Sequence, residues 1–223
     1  MAWTPAAPTD NGRPLTLALP KGRLLPPALD LLRRAGFEGL PEDDSRRLLF
    51  TDPTNRLRLL ILKPLDVPTY VEHGAADAGI AGRDVLEERG SDLYEPLDLK
   101  IGACRLAVAE PMDPPARAVD DEGRGAHLRY CTKFPNLTRR HLEKSGTVAD
   151  VIKLSGSVEL GPLTGLCDRI VDLVSSGETL RQHRLREVET ILEVSSRLVV
   201  NRAAWKVHRR PIDALLARLG GVV

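Results

Sequence analysis

Leu15-Thr16-Leu17-Ala18-Leu19 is a short apolar run, and Pro20-Lys21-Gly22 stops it at once. From Leu24 the spacing changes, with Leu24, Leu25, Ala28, Leu29, Leu31 and Leu32 recurring at helical period until Gly36. Strand, tight turn and helix in that order commit the chain to an α/β architecture, because the helix must bury its apolar stripe against the sheet holding its strand. In such a sheet the turn lies at the carboxyl end of a strand, where ligands bind, and the start of the helix adds partial positive charge. Lys21 and Arg23 are therefore candidates for binding phosphate, the alternative being a pair of solvated loop cations.

The alternation continues. Arg47 to Thr51 and Leu57 to Leu62 read as two strands joined by the turn Asp52-Pro53-Thr54-Asn55. Asp66 is placed to cap a helix through Tyr70 and Val71 that Gly74 ends, and Ala78-Gly79-Ile80-Ala81 is a small-residue strand running into Gly82-Arg83-Asp84 and another helix. Small side chains there suit either close helix packing or access for a bulky nucleotide. From Ala103 the pattern restarts with a strand to Ala109. A strand Leu128 to Thr132 then ends in Lys133-Phe134-Pro135-Asn136, followed by a helix to about Lys144 and a strand Val151 to Leu154. Glu189 to Val194 and Arg197 to Asn201 read as strands before an amphipathic helix carrying Ile212, Leu215, Leu216 and Leu219. No internal sequence repeat is visible.

Between these lies the most chemically suggestive stretch. Ile170-Val171-Asp172-Leu173-Val174 is an apolar strand carrying one acid, and it empties into Ser175-Ser176-Gly177-Glu178-Thr179. Glycine allows positive φ and close approach of a ligand, while successive N–H groups and the hydroxyls of Ser175, Ser176 and Thr179 can donate to phosphate oxygens. Asp168 and Asp172 are expected a short reach away, placed to accept from sugar hydroxyls or to hold a magnesium ion.

Composition narrows the function classes. With 42% hydrophobic and 28% charged residues, 223 residues suffice for one large or two small domains with buried cores. A net charge of +1 lacks the basic surplus of a general nucleic-acid binder, so positive charge serving phosphates has to be local. Cys104, Cys131 and Cys167 are odd in number, widely spaced and set in apolar segments, which reads as buried free thiols in a reducing compartment. Met1 to Pro14 is polar and proline-bearing, with no apolar core of signal-peptide length, and reads as a mobile extension. No run reaches membrane-spanning length, and a cytoplasmic location is expected. There is no GxSxG, no HExxH and no metal-spaced cluster among the five histidines.

Six stretches together resemble the ATP phosphoribosyltransferases of histidine biosynthesis, in the same order along the chain. They are Leu17 to Leu24, Asp66 to Val71, Ala76 to Gly82, Cys104 to Leu106, Thr132 to Asn136, and Glu159-Leu160-Gly161-Pro162 through Gly165, Asp168, Asp172 and Leu180. The resemblance covers about Leu15 to Arg202. Ser176 stands where that family's loop usually has threonine, and Gly161 where alanine is usual. The resemblance implies two α/β lobes with a cleft between them, as in periplasmic-binding-protein-like folds. The first lobe would comprise residues 15–102 with 188–223 and the second 103–187. It implies a reaction joining N1 of ATP to C1 of 5-phosphoribosyl 1-pyrophosphate, with magnesium, and without a covalent nucleophile. The 5′-phosphate is assigned to Ser175, Ser176, Gly177, Glu178 and Thr179, and the ribose hydroxyls to Asp168 and Asp172. Polyphosphate is assigned to Lys21, Arg23 and either Arg46 or Arg47, and a substrate contact to Lys133. Glu159 orients the loop or contacts ligand. The family's short form, which this length resembles, implies a dimer within a hetero-oligomer that includes a histidyl-tRNA-synthetase-like regulatory subunit. Nucleic acid and membrane are not expected partners.

Overall fold

The computed structural model describes residues 13–41, 47–53, 56–113 and 127–223, which form two compact α/β units. One unit draws on both ends of the chain, up to Ala103 and again from Ser195, while the other is the continuous stretch Cys104–Val194.

In the first unit β1 (Leu15–Pro20) leads to α1 (Leu25–Arg34), β2 (Leu49–Thr51), β3 (Leu57–Leu62), α2 (Val67–Glu72), β4 (Ala78–Gly82), α3 (Arg83–Arg89) and β5 (Tyr94–Asp98). The second unit contributes β6 (Cys104–Pro111), β7 (Leu128–Thr132), α4 (Pro135–Ser145), β8 (Ala149–Lys153), α5 (Leu160–Leu163), β9 (Arg169–Val174), α6 (Glu178–Gln182) and β10 (Leu185–Val194). The chain then re-enters the first unit as β11 (Ser196–Val200), α7 (Arg202–Val207) and α8 (Arg209–Gly220).

The sheet of the first unit has the order β2-β3-β1-β4-β11-β5, with β1 parallel to both β3 and β4. Side-chain alternation along β1 loads both of its faces. Leu15, Leu17 and Leu19 join Leu25, Leu29, Ile212 and Leu215 of α1 and α8, while Ala18 turns to Val67 and Val71 of α2 and Leu86 of α3. The small-residue strand β4 serves close packing: a Cβ on Gly79 would stand 2.8 Å from Val71 Cγ2 and 2.9 Å from Val67 Cγ1. Of the two sequence alternatives, helix packing is the one realised at Gly79.

The second sheet has the order β10-β6-β9-β7-β8, with β7 parallel to β8 and β9. Both sheets therefore repeat one connectivity. A central strand (β1 or β7) is followed by a parallel neighbour on one side (β3 or β8), and the chain then crosses to a parallel neighbour on the other side (β4 or β9). An antiparallel strand, β11 or β6, comes next. In each sheet the direction of winding reverses beside the central strand, which is where open α/β sheets bind ligands.

Three expectations need correcting. Residues 188–194 do not return to the first unit; they belong to β10, which pairs along its length with β6, from Leu185↔Pro111 to Val194↔Cys104. The order begins before Leu15, because Pro14 is buried and the Arg13 guanidinium binds the buried Asp77 carboxylate at 2.6 and 3.0 Å. The rest of the expected extension, residues 1–12, lies outside the described residues. Asp66 makes no capping bond; it closes a short 3-10 turn, Pro64–Asp66, and Pro68 in the first turn of α2 supplies the preset φ instead. Edge strand β5 has no counterpart among the strands expected from the sequence.

Candidate functional site

The second unit gathers most of the expected residues at the carboxyl ends of its parallel strands. β9 ends at Val174, and the chain turns through Ser175 and Ser176 to Gly177, whose φ of +76° is left-handed. That conformation costs an L side chain roughly 1–2 kcal/mol and glycine almost nothing. The turn is exposed. Ser176 Oγ accepts from the Glu178 N–H at 3.3 Å, while the N–H groups of Ser176 and Gly177 have no partner among the described residues. Two unpartnered N–H groups beside the exposed residues Ser175, Ser176 and Thr179 are donors of the kind that bind an anion. Glu178 is drawn away from it: its carboxylate accepts from Arg181 at 2.6 Å and Gln182 at 3.2 Å, and the Arg181 hydrogen bond holds its pKa below the usual range.

The strand register supplies the neighbours. Thr132 of β7 lies opposite Val171 of β9, so the next residue on each strand, Lys133 and Asp172, come together with Nζ 3.8 Å from Oδ2. Asp172 Oδ1 also accepts from the Leu173 N–H at 2.9 Å. The fully buried Thr132 fixes this turn. Its hydroxyl donates to Val171 O at 2.8 Å and accepts from the Phe134 N–H at 2.9 Å. Glu159 stands in the connection that leaves the same end of β8, directly before α5.

Asp168 is the exception. It precedes β9, at the amino end, where its carboxylate accepts from the Arg129 N–H at 2.8 Å and faces Arg129 Nε at 3.5 Å. The six residues of β9, roughly 20 Å of extended chain, separate it from Ser175. The expected short reach from Asp168 to the turn is not met; its partners show a residue that ties β9 to β7.

Arg105 carries no expected role but acts on the turn. From β6 it donates through Nη1 to Ser175 O at 3.4 Å, and its guanidinium is held by Glu187 of β10 at 2.5 and 2.7 Å. The stretch Cys104-Arg105-Leu106 was visible in the sequence, yet only the pairing of β6 with β9 and β10 shows what Arg105 touches.

The first unit carries its own set at the equivalent edge. Lys21, Gly22 and Arg23 follow β1, Gly22 has a φ of +84°, and the Lys21 N–H is tied to Leu62 O at 2.7 Å. Both cationic side chains are exposed and form no ion pair among the described residues. Arg47 is exposed just before β2. Arg46 lies outside the described residues. Thus the connectivity places Lys21 after β1 just as it places Lys133 after β7. Among the described residues no three His, Cys, Asp or Glu side chains come together as a metal cage, and no helix is long and apolar enough to cross a membrane.

Two wound sheets, each with polar or cationic turns at the carboxyl ends of its parallel strands, define an α/β protein with the fold of periplasmic binding proteins. The Escherichia coli aliphatic sulphonate binding protein SsuA shares that fold at a TM-score of 0.58 and 13% identity, over 94% of this chain and 72% of its own. The chain belongs to the ATP phosphoribosyltransferase family, whose model matches residues 63–221. The ATP phosphoribosyltransferase of Acidithiobacillus ferrooxidans is 54% identical over 211 residues, 92% of this chain and 95% of the relative. A chain of the ATP phosphoribosyl transferase (HisG:HisZ) complex from Thermotoga maritima superposes with a TM-score of 0.77 at 34% identity, over 93% of this chain and 98% of its own.

Proposed function

We propose that this chain condenses ATP with 5-phosphoribosyl 1-pyrophosphate, forming N1-(5-phosphoribosyl)-ATP and releasing pyrophosphate, as the first step of histidine biosynthesis. The observation that carries this reading is the turn after β9, where left-handed Gly177 and unpartnered N–H groups sit among exposed hydroxyls, one strand from the Lys133–Asp172 pair. In the reaction N1 of the adenine displaces pyrophosphate at C1 of the sugar, so positive charge develops on the ribose ring and negative charge on the leaving group. Catalysis then rests on holding and orienting charged groups, with no covalent nucleophile required.

Ser175, Ser176, Gly177 and Thr179 hold the 5′-phosphate by N–H and O–H donation, and Arg105 braces the turn from behind. Asp172 accepts from ribose hydroxyls and stabilises the cationic ring, and Lys133 neutralises phosphate oxygens beside it. Lys21, Arg23 and an arginine at position 46 or 47 bind polyphosphate, and Glu159 orients the connection above β8. Asp168 acts at a distance, by anchoring β9. Magnesium fits this donor set as an ion bound mainly by substrate phosphates, with Asp172 or Glu159 as its protein oxygen, and it would offset charge on the departing pyrophosphate. A cytoplasmic location suits substrates of this kind.

A second subunit belongs to this proposal, because the solved relative is one component of a two-protein complex. We take the partner to be the histidyl-tRNA-synthetase-like regulatory subunit that the resemblance implies, joined to a dimer of this chain. Pyrophosphate release on mixing the chain with ATP, 5-phosphoribosyl 1-pyrophosphate and magnesium, with and without that partner, tests the reaction. Binding of either substrate without pyrophosphate release under both conditions would leave a ligand-binding module and end the enzyme reading.

A further inference from the structure

The first unit has a second concave feature, at the opposite edge of its sheet from Lys21. A cavity of about 560 Å³ is lined by Tyr94, Arg202, Trp205, Lys206 and Arg209. Its place follows from register: Tyr94 lies level with Val200, Val200 with Ala78 and Ala78 with Leu17, near the amino end of β1, whereas Lys21 follows the carboxyl end. Strands β4 and β11 also stand between β1 and β5.

The lining has a specific chemistry. Tyr94 and Trp205 meet edge to face, with centroids 5.2 Å apart and planes at 88°, and the Arg202 guanidinium lies over the Tyr94 ring at 5.0 Å. Arg202 is held there by Asp92 at 2.6 Å, so this flat group is preset before any ligand arrives. Tyr94 remains 40% exposed. Lys206 is exposed and has no ion pair among the described residues, and exposed Arg209 reaches Asp213 only at 3.5 Å. No carboxylate lines the cavity. Flat aromatic and guanidinium surfaces accept a stacked base, and the adjacent exposed side chains of Lys206 and of Arg209, the latter also facing Asp213, accept a phosphate. The volume falls in the range of small-molecule pockets, roughly 300–1,000 Å³.

We infer that this cavity binds a purine nucleoside phosphate, with the base against the Tyr94, Trp205 and Arg202 surfaces and the phosphate on Lys206 and Arg209. The site is separate from the reaction proposed above. It would give the chain a way to sense nucleotide independently of turnover.

Guanosine 5′-monophosphate is the probe, since an adenine nucleotide would also load the reaction site. It is titrated into the full chain carrying Trp3→Phe, which leaves Trp205 as the only tryptophan, with guanosine and inorganic phosphate titrated in parallel. The expected result is a saturable change in Trp205 emission with the nucleotide, at an affinity about tenfold or more above that of guanosine or phosphate alone. Lys206→Glu with Arg209→Glu should weaken nucleotide binding about tenfold or more, while melting temperature and pyrophosphate release stay unchanged. The single variants Lys206→Gln and Arg209→Gln should each show part of that loss. No saturable change with the nucleotide, or equal affinity in the charge-reversed and single variants, overturns the proposal. The readout is emission from Trp205 and not turnover, so either result leaves the phosphoribosyltransferase reading where it stood.

Discussion

At the residue scale, Gly161 shows how a single missing methyl group can be required by packing. A Cβ there would stand 2.6 Å from Cys167 Sγ and 3.1 Å from Cys131 Sγ, and all three residues are buried. Burial pushes the Cys167 thiol well above its ordinary pKa, with the neighbouring Cys131 adding to the shift, so the pair behaves as packing volume. Gly161→Ala should therefore destabilise by about 1–3 kcal/mol, and adding Cys167→Ala should recover most of it, a coupling that a double-mutant cycle by chemical denaturation would read. Independent effects of the two changes would show that the thiol is not the obstacle. Gly177 is constrained differently, because a Cβ there would meet nothing nearer than Val174 Cγ1 at 4.0 Å. The cost of Gly177→Val lies in φ and in the ligand's approach. Calorimetry should show loss of 5-phosphoribosyl 1-pyrophosphate binding, with melting lowered by only a few degrees, about 2–8 °C. Arg23→Ala should leave stability within about 0.5 kcal/mol while turnover falls about tenfold or more. A drop in melting temperature with activity retained would make Arg23 structural. The glycines themselves were readable from the sequence. The crowding of Gly161 was not, because Cys131 reaches it only through the pairing of β7 with β9, while the local turn after α5 folds Cys167 back onto it.

At the scale of elements, charged pairs cross the second sheet from β6. Glu110 accepts from Arg169 of β9 at 2.8 Å and from Arg186 of β10 at 2.7 Å, while Arg105 holds Glu187. Burial alone would raise the Glu110 pKa, but Arg186 and Arg169 outweigh it and hold the carboxyl below its usual value. Arg105 does the same for Glu187. Since folding lowers both values, their contribution is complete above the unfolded value near 4.5 and fades as pH falls through the lower folded values. Thermal melts should accordingly decline below about pH 4.5. Glu110→Gln should melt lower at neutral pH and lose less on acidification; an unchanged acid slope would remove Glu110 from the account. Strands β1 and β4 were legible because burial on both faces writes them as apolar runs, and β3, β7 and β9 because enough of each is buried to keep it mainly apolar. β5 was not, since Tyr94-Glu95-Pro96-Leu97-Asp98 is an edge strand in which proline and charge are tolerated. β10 was legible as a strand but not in its sheet. Its charged residues and two register shifts look the same whichever sheet accepts it, and its partner β6 lies some eighty residues away in sequence.

At the scale of the whole molecule, the proposed partner subunit predicts a histidine response that depends on assembly. Alone the chain should release pyrophosphate slowly or not at all and ignore histidine; with the synthetase-like subunit it should run faster and be inhibited by histidine, because an effector acts only where it favours one assembled state. Turnover across a histidine titration, with light scattering to size the assembly, checks both. Full activity and histidine inhibition from the isolated chain would refute the division of labour. The strand pattern visibly restarts after Ala103, but the two-unit plan itself came from the family resemblance. Its repeated connectivity was not legible, because the two units share a path and no sequence. The position of β11, between β4 and β5, has a consequence for how this protein is born. A ribosome delivers β5 roughly a hundred residues before the one strand it pairs with, and the whole second unit emerges in between. That continuous unit can close on itself as soon as it is clear of the exit tunnel, whereas the first must hold β4 and β5 with unsatisfied backbone until β11 slots into the gap. The half of the protein synthesised first is thus the half completed last, and a nascent chain halted near Val194 is the form a chaperone would recognise.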